Sequence, residues 1–452
     1  MSNNVDVAII GAGFSGLSAA AAIKAAGHKF CIFEARERAG GRVKAGTIAG
    51  ESIDLGGMWI GTTQRRLKAL ADAQARTTYP TWLDGESVIE LLGRRVRCPR
   101  DDFEPALPLL TKLEYLWIER RIARMVAAIP VEDPAAAAQA EEWDRQSLGE
   151  WIRHHVRTRG LRLLLLLVTR SVFCAEPDDL SLLHFLFYLR SAGGLAPLIA
   201  SEVGGAQHLA VAGGMHQIAT GLAGDLADDI KYQMPVLAIA RSDEGVSIIT
   251  AQGRCDARRV IVAVAPPLVA RIRFDPPLPH ARDALNQRMP MGSVIKVWIA
   301  YPTPFWRRAG LNGFVSSDIA GFSPCFDVTP PGDGPGLIVG FFDAIEATRW
   351  SARPAEARKR EVLGLLARTL GSSALDPLDY VENDWTTDAW SHGCYGAYAP
   401  PGVWTRFGAA LRAPIGCIHW AGTETATEWS GYIEGAIQAG ERAAAEVVAA
   451  LG

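Results

Sequence analysis

The chain has little that would suit a polyanion, a bilayer or a disulfide framework. Its 46 basic and 49 acidic residues are interspersed and give a formal net charge of −3, so no electrostatic footprint for nucleic acid or an anionic membrane is present. Cysteine is scarce and odd in number: Cys31, Cys98, Cys174, Cys255, Cys325, Cys394 and Cys417 are scattered without a CxxC pair or a histidine-rich neighbour. That spacing gives no zinc signature and no paired framework, and it fits a reducing cytoplasm. Long apolar runs are missing as well. The greasiest stretch, Leu163 to Val168, falls far short of the ~20 residues a membrane-spanning helix needs. The first residues, Met1 to Asp6, have no basic region ahead of an apolar one, so no signal peptide is read there. With 49% hydrophobic and 21% charged residues, the composition is that of a soluble globular protein. At 452 residues it predicts two domains of roughly 200 residues each.

What is present begins with glycine. Val5 to Ile10 is an apolar run of strand length, followed by Gly11-Ala-Gly-Phe-Ser-Gly16, an alanine-rich helical stretch from Leu17 to Ala26, a stop at Gly27, and a second strand from Lys29 to Phe33. This is a βαβ opening, the setting in which GxGxxG binds a dinucleotide. Gly11 permits the tight turn, Gly13 lets the backbone approach a pyrophosphate at the helix N-terminus, and Gly16 lets helix and strand pack closely. Glu34, eighteen residues beyond Gly16, is placed to accept hydrogen bonds from an adenosine ribose. NAD and FAD enzymes share this pattern, and the continuation through Gly40-Gly-Arg42 tilts it toward FAD.

Further on, helical periodicity marks Lys112 to Ala128, Leu148 to Val156, Leu161 to Phe173 and Leu180 to Arg190, which predicts a mostly helical insertion between about Tyr79 and Gln207. A helix after Gly213-Gly214 and strands at Tyr232 to Ala240, Val246 to Thr250 and Val260 to Ala265 mark a return to the nucleotide-binding part. Strands at Ser293 to Tyr301 and Leu337 to Phe342, a helix from Ala355 to Leu370, and a last helix from Gly431 to Ala450 complete the chain. The predicted fold is α/β: a Rossmann-like FAD-binding domain (1–79, 211–288 and 388–452) with a discontinuous α+β substrate-binding domain (80–210 and 289–387).

Near the C-terminus a second signature, His419 to Glu434, accompanies Ser391-His-Gly-Cys-Tyr-Gly-Ala-Tyr398 and Trp429 to Arg442. With Asp54-Leu-Gly-Gly57, Glu142-Trp-Asp144, Gly204-Gly205, Val262 to Pro267 and Met291 to Lys296 in order between the ends, the chain resembles the flavin-containing monoamine oxidase family over nearly its whole length. The resemblance implies FAD, and it places Cys394 where monoamine oxidases attach the flavin through an 8α-thioether. It implies that Tyr395 and Tyr432 flank the substrate amine and that Lys296, a charge inside the apolar run Val294 to Ile299, holds a water beside the flavin. For the cofactor it further implies Ser15, Arg36, Gly41, Arg42, Gly57, Met58, Val236, Trp385, Gly422, Thr423, Glu424 and Ile433, with Tyr432 on the substrate face. Phe173, Ile199, Gln207 and Phe326 are the expected substrate pocket.

An ammonium has no lone pair to support loss of hydride from the adjacent carbon, so the reactive species is the neutral amine. The implied reaction takes a primary or secondary amine to an imine, hydrolysed to aldehyde or ketone, with oxygen reduced to hydrogen peroxide. Three alternatives stay open: a polyamine or diamine oxidase, which needs an acidic residue at the far end of the pocket; an amino-acid oxidase, which needs an arginine; and a dehydrogenase using another electron acceptor. Glu202 is a conceivable distal acid, although a position on the rim suits it as well. The set Cys394, Tyr395 and Tyr432 favours a simple monoamine with an apolar substituent. The implied partners are a small amine and oxygen, without nucleic acid or membrane, and a homodimer fits the resemblance. The family's mitochondrial members carry a C-terminal membrane tail, whereas this chain ends at Gly452, so a soluble, cytoplasmic protein is expected.

Overall fold

The computed structural model describes residues 3–100 and 102–452. Strand Asn3–Ile10 lies between two parallel neighbours, Phe30–Phe33 and Gly253–Val262, and Val7 to Ile10 are all buried, as a strand covered on both faces requires. Ile230–Lys231 extends the parallel run beyond Phe30–Phe33, and Ile418–Trp420 joins it beside the end of Gly253–Val262. Val246–Thr250 and Val236–Arg241 complete the far side as antiparallel strands, with Arg273–Asp275 at the edge. The parallel strands all leave the sheet on one side. Gly11, Glu34, Ala263 and Ala421 each donate a backbone N–H to the carbonyl that ends a neighbouring strand, so four chain segments converge at the carboxyl edge, where open α/β sheets bind ligands.

A second sheet runs in the order Asp379–Asp384, Val294–Tyr301, Gly336–Asp343, Phe322–Asp327, Leu311–Ser317, Glu86–Leu91 and Arg94–Pro99. Val294–Tyr301 and Gly336–Asp343 are buried at every position, and helix Ala355–Leu370 packs on this sheet through Val362, Leu365 and Leu366. The helices Leu109–Ala127, Leu148–His155, Arg159–Phe173 and Leu182–Ser191 form the insertion. No helix among the described residues is long and apolar enough to cross a membrane.

Expectation and structure differ at several elements. The mostly helical insertion also holds a hairpin that the periodicity did not give: Glu86–Leu91 pairs with Arg94–Pro99, turning at Leu92 and Gly93, both with positive φ. That is the backbone of a tight hairpin turn, but a leucine stands where asparagine or glycine usually gives the signal. The strand expected over Tyr232 to Ala240 is broken into Ile230–Lys231 and Val236–Arg241, because Gln233 is left-handed and Pro235 has no N–H to donate. The strand expected over Val260 to Ala265 starts at Gly253 and stops at Val262, ahead of the short helix Pro266–Val269. The first helix, Phe14–Ala25, begins earlier than expected because Gly13 caps it, and the last, Ile433–Leu451, begins later because Gly431 has φ +85°.

These two terminal helices pack directly on each other, and glycine sets their separation. A Cβ on Gly440 would lie 2.1 Å from the Ser15 carbonyl oxygen across the two helices; at the opening turn, one on Gly16 would lie 1.9 Å from the Gly11 carbonyl oxygen, which packs that helix on its own strand end. All seven cysteines are buried, and burial raises every one of their thiols, Cys31 and Cys325 to about 12.

The glycine spacing predicts a contrast within one pair of variants. Gly440→Ala forces the two helices apart and lowers stability by about 2 kcal/mol or more. Gly364→Ala, in helix Ala355–Leu370 with nothing within 4 Å of the new methyl, gains about 0.5–1 kcal/mol from helix propensity. Denaturant unfolding of both holoproteins reads the difference, and equal effects would contradict the packing.

Candidate active site

A single cavity of about 820 Å³ runs from the first glycine turn into the space between the second sheet and the inserted helices. At one end lie Gly11, Gly13 and Ser15. Helix Phe14–Ala25 starts there with no side-chain cap, so its first N–H groups and its positive dipole end face the opening. A Cβ on Gly13 would meet nothing nearer than Gly41 Cα at 3.9 Å, which leaves bare backbone beside the uncapped turn. Arg36 and Arg42 line the same end. This arrangement fits the diphosphate of a dinucleotide: donors, two cations and no side chain in the way. Glu34 is buried there, its carboxylate accepting the N–H groups of Ala12 at 2.7 Å and Arg36 at 2.9 Å. It thereby ties the strand end to the turn and keeps lone pairs for hydroxyl donors.

Arg42 joins the two ends of the chain. Its guanidinium donates to Glu424 at 2.7 Å and to the Tyr395 carbonyl at 2.8 Å. Burial opposes charge on Glu424, but Arg42 beside it wins and holds the carboxyl below the usual carboxylate range. Ala397 N–H also donates to Glu424 at 3.2 Å. Glu424 therefore holds Arg42 and the loop after Tyr395 in place and does not itself reach the cavity wall. Arg36 is fixed in the same way, donating to Asp388 at 2.6 Å and Ser391 at 2.7 Å.

Midway along, Cys394, Tyr395, Tyr432 and Lys296 all line the cavity. Tyr395 meets Phe341 edge-on at 6.2 Å, and Tyr432 packs on Trp429 at 5.0 Å and Tyr188 at 6.1 Å. Among the described residues no ring contact joins Tyr395 to Tyr432, so the two stand as separate walls. Lys296 is 3% exposed and donates to the Gly56 carbonyl at 2.7 Å, with its Nζ 5.3 Å from the Trp298 ring centroid and 5.9 Å from that of Phe341. Burial lowers this amine to about 7. Cys394 is buried, and its thiol is pushed up to about 12 by burial, against the pull of Arg42. Gly41, Gly57, Met58, Gly422, Thr423 and Ile433 complete the wall. Helix Ile433–Leu451 also enters the site with an uncapped N-terminus.

Beyond the tyrosines the wall turns apolar. Ile199, Gln207 and Phe326 line it as expected, and Glu202 stands on the rim, 58% exposed at its side chain and 3.5 Å from Arg100. Gly16, Val236, Trp385 and Phe173 do not reach the cavity. Trp385 lies behind Gly56, where a Cβ would touch its ring at 3.0 Å, and donates to the Leu55 carbonyl at 2.9 Å. Phe173 packs against Tyr188 with its ring tilted, the centroids 4.5 Å apart. Among the wall residues that sequence reasoning missed are Trp59, Tyr188, Phe341 and Asp343. Phe341 and Asp343 alternate on one strand and so share a face, a period-two signal hidden in the uniformly apolar run Leu337 to Phe342.

Comparison with known proteins bears directly on this site. The family description "Flavin containing amine oxidoreductase" matches residues 14–448. A Mycobacterium tuberculosis protein named "Putative flavin-containing monoamine oxidase AofH" is 42% identical over 447 residues, covering 99% of this chain and 97% of that one. The cyclohexylamine oxidase of Brevibacterium oxydans IH-35A superposes with a TM-score of 0.94 at 33% identity, covering 99% of each chain. A putrescine oxidase bound to putrescine gives 0.95 at 33% identity, over 99% of this chain and 100% of that one. Fold, cavity and sequence agree, and the chain belongs to the family of flavin-containing amine oxidoreductases, enzymes that use FAD to oxidise amines.

Proposed function

We propose that this protein oxidises a small primary or secondary amine, taken as the free base, to an imine that water hydrolyses to an aldehyde or ketone. The observation that carries this reading is one continuous cavity joining the uncapped glycine turn, Cys394, the tyrosines 395 and 432, and Lys296. When bound, FAD supplies a two-electron acceptor for the hydride equivalent leaving the amine-bearing carbon, with oxygen as the final acceptor and hydrogen peroxide as product.

The protein's own part is binding, desolvation and proton control. Gly11, Gly13, Ser15, Arg36 and Arg42 hold the diphosphate, and Glu34 takes the ribose hydroxyls. Gly41, Gly57, Met58, Gly422, Thr423 and Ile433 shape the rest of the cofactor wall, and Cys394 Sγ is the point of thioether attachment. Tyr395 and Tyr432 guide the amine between two π-faces and exclude water, and their low-dielectric surroundings disfavour an ammonium relative to the free amine. Lys296, with its proton donated to Gly56 and its basicity reduced by burial, holds a water molecule without placing a permanent cation beside the substrate. Ile199, Gln207 and Phe326 contact the substituent, while Phe173 supports Tyr188 from behind. Val236 and Trp385 support the cofactor wall from a second layer.

Two measurements test this. Amines should release peroxide under air, with kcat/KM rising by about one log unit per pH unit between pH 7 and the substrate's own pKa and by about two below pH 7. The sign follows from both groups: the substrate must lose a proton, and Lys296, held to about 7, stops being a cation as pH rises through that value. Lys296→Met removes the limb near pH 7 and leaves the substrate's own; a profile flat from neutral to alkaline pH contradicts the mechanism. Acid-denatured wild-type protein should stay yellow and carry the flavin mass, whereas Cys394→Ala releases free flavin. Release from the wild type would exclude the covalent bond.

A further inference from the structure

The cavity meets the surface a second time, at its cofactor end. Trp390 lines it from within, beside Arg36, Ser391 and Cys394, yet is 44% exposed, so a single layer of chain separates that end from solvent. The layer is residues 388–393, which form neither helix nor strand. Both of its ends are anchored. Before it, Trp385 is 1% exposed and donates to the Leu55 carbonyl at 2.9 Å. After it, Cys394 donates its N–H to the Gly292 carbonyl at 2.9 Å, and a Cβ on Gly393 would lie 2.2 Å from that same oxygen.

Between the anchors the main chain bonds locally. The N–H groups of Asp388, Ser391 and His392 go to the carbonyls of Trp385 and Asp388, and that of Trp390 goes to the Asp388 carboxylate at 3.0 Å. His392 has a left-handed backbone, φ +55°, and its Nε2 is buried with no hydrogen-bond partner among the described residues. One side chain ties the segment to the body of the protein. Arg36 donates to Asp388 at 2.6 Å and to Ser391 at 2.7 Å, and burial, which opposes charge on Asp388, is overridden by that arginine. Two more cations stand within electrostatic reach of the same carboxylate, Arg38 and Lys44. Arg38 donates to the carbonyls of Ala39, Gly41 and Val43, and Lys44 to the Asn383 side chain. Neither is spent on a carboxylate among the described residues, so both offer charge to an incoming anion.

We propose that residues 388–393 are the door for the cofactor: a strap that swings aside when Arg36 releases Asp388 and Ser391, admits FAD at the end of the cavity away from the Glu202 rim, and is latched over it by the same arginine. A dinucleotide is an anion, so Arg38 and Lys44 draw it to the opening, and its diphosphate competes with Asp388 for Arg36 as it enters. Loading then needs no movement of one domain against the other, because two hydrogen bonds hold the strap shut. The proposal rests on FAD occupying the glycine-turn end of the cavity and is independent of which amine is oxidised.

The test starts from the Cys394→Ala holoprotein, whose flavin is free to leave, and follows release on dilution and rebinding of added FAD by flavin fluorescence. Adding Asp388→Ala or Ser391→Ala should speed both rates about tenfold and keep Kd within about threefold, which marks a latch on the door and not a ligand of the cofactor. Asp388→Asn, which keeps the shape and loses the charge, serves where Asp388→Ala does not fold. A second measurement uses the holoenzyme with Cys394 in place: Asp388→Ala should raise amide hydrogen exchange across 388–393 and leave the strands Asp379–Asp384 and Gly336–Asp343 as they were. Where Cys394→Ala retains no flavin, the exchange result decides. The door is overturned if neither rate changes, if release alone quickens so that Kd weakens in step, or if exchange rises through the neighbouring strands as in partial unfolding. FAD that enters and leaves by this route in a protein that oxidises no amine sinks the amine reading alone, whereas a protein that takes up no FAD sinks both.

Discussion

The ion pair between Arg42 and Glu424 is the constraint on which the site depends. Its partners are 382 residues apart in sequence, and the same guanidinium grips the Tyr395 carbonyl. One half-buried cation thus fixes the glycine-rich start of the chain, the Cys394 loop and the turn Thr423–Thr425 relative to one another. A charge pair this deep is held by geometry more than by net attraction, because desolvation offsets most of the Coulomb gain. What the pair secures is position. Arg42 faces the cofactor end of the cavity only because Glu424 and a carbonyl leave it no other orientation, and Arg36 is held in parallel by Asp388 and Ser391.

Glycine provides the second layer of that precision. Where Gly440 meets Ser15, the first and last helices come as close as backbone permits, and both uncapped N-termini open into the same cavity. Two helix dipoles and two arginines converge there while the neighbouring walls are apolar. The field is strongest where water is least able to screen it, which suits a site that must hold an anionic cofactor at one end and disfavour an ammonium at the other.

Much of this was legible in the sequence, for identifiable reasons. The parallel strand Asn3–Ile10 and the turn after it carry an apolar run and three spaced glycines, signals that act locally. Cys394, Tyr395, Tyr432 and Lys296 stood out through motif and through a charge in a buried strand, and all four line one cavity. Depth was harder to read. Trp385, Phe173, Val236 and Glu424 lie behind that wall, because motif position gives proximity to a site without saying which layer a side chain occupies. The hairpin Glu86–Arg94–Pro99 was hidden by a Leu-Gly turn, and its pairing with Leu311–Ser317 spans a separation that no local pattern encodes. Asp343 was invisible for a similar reason: an acid at the end of an apolar strand looks like a strand terminus until the fold reveals what it faces.

The seven sequestered sulfurs acquire a meaning once oxygen is taken as the electron acceptor. An oxidase of this kind manufactures its own chemical hazard at every turnover, and peroxide attacks thiolates far faster than thiols. Apart from Cys394, whose sulfur the flavin would take, each sulfhydryl is buried with its thiol raised by burial, so the thiolate that peroxide attacks is scarce. Endurance against self-inactivation is thus built into the packing, with no scavenging residue required.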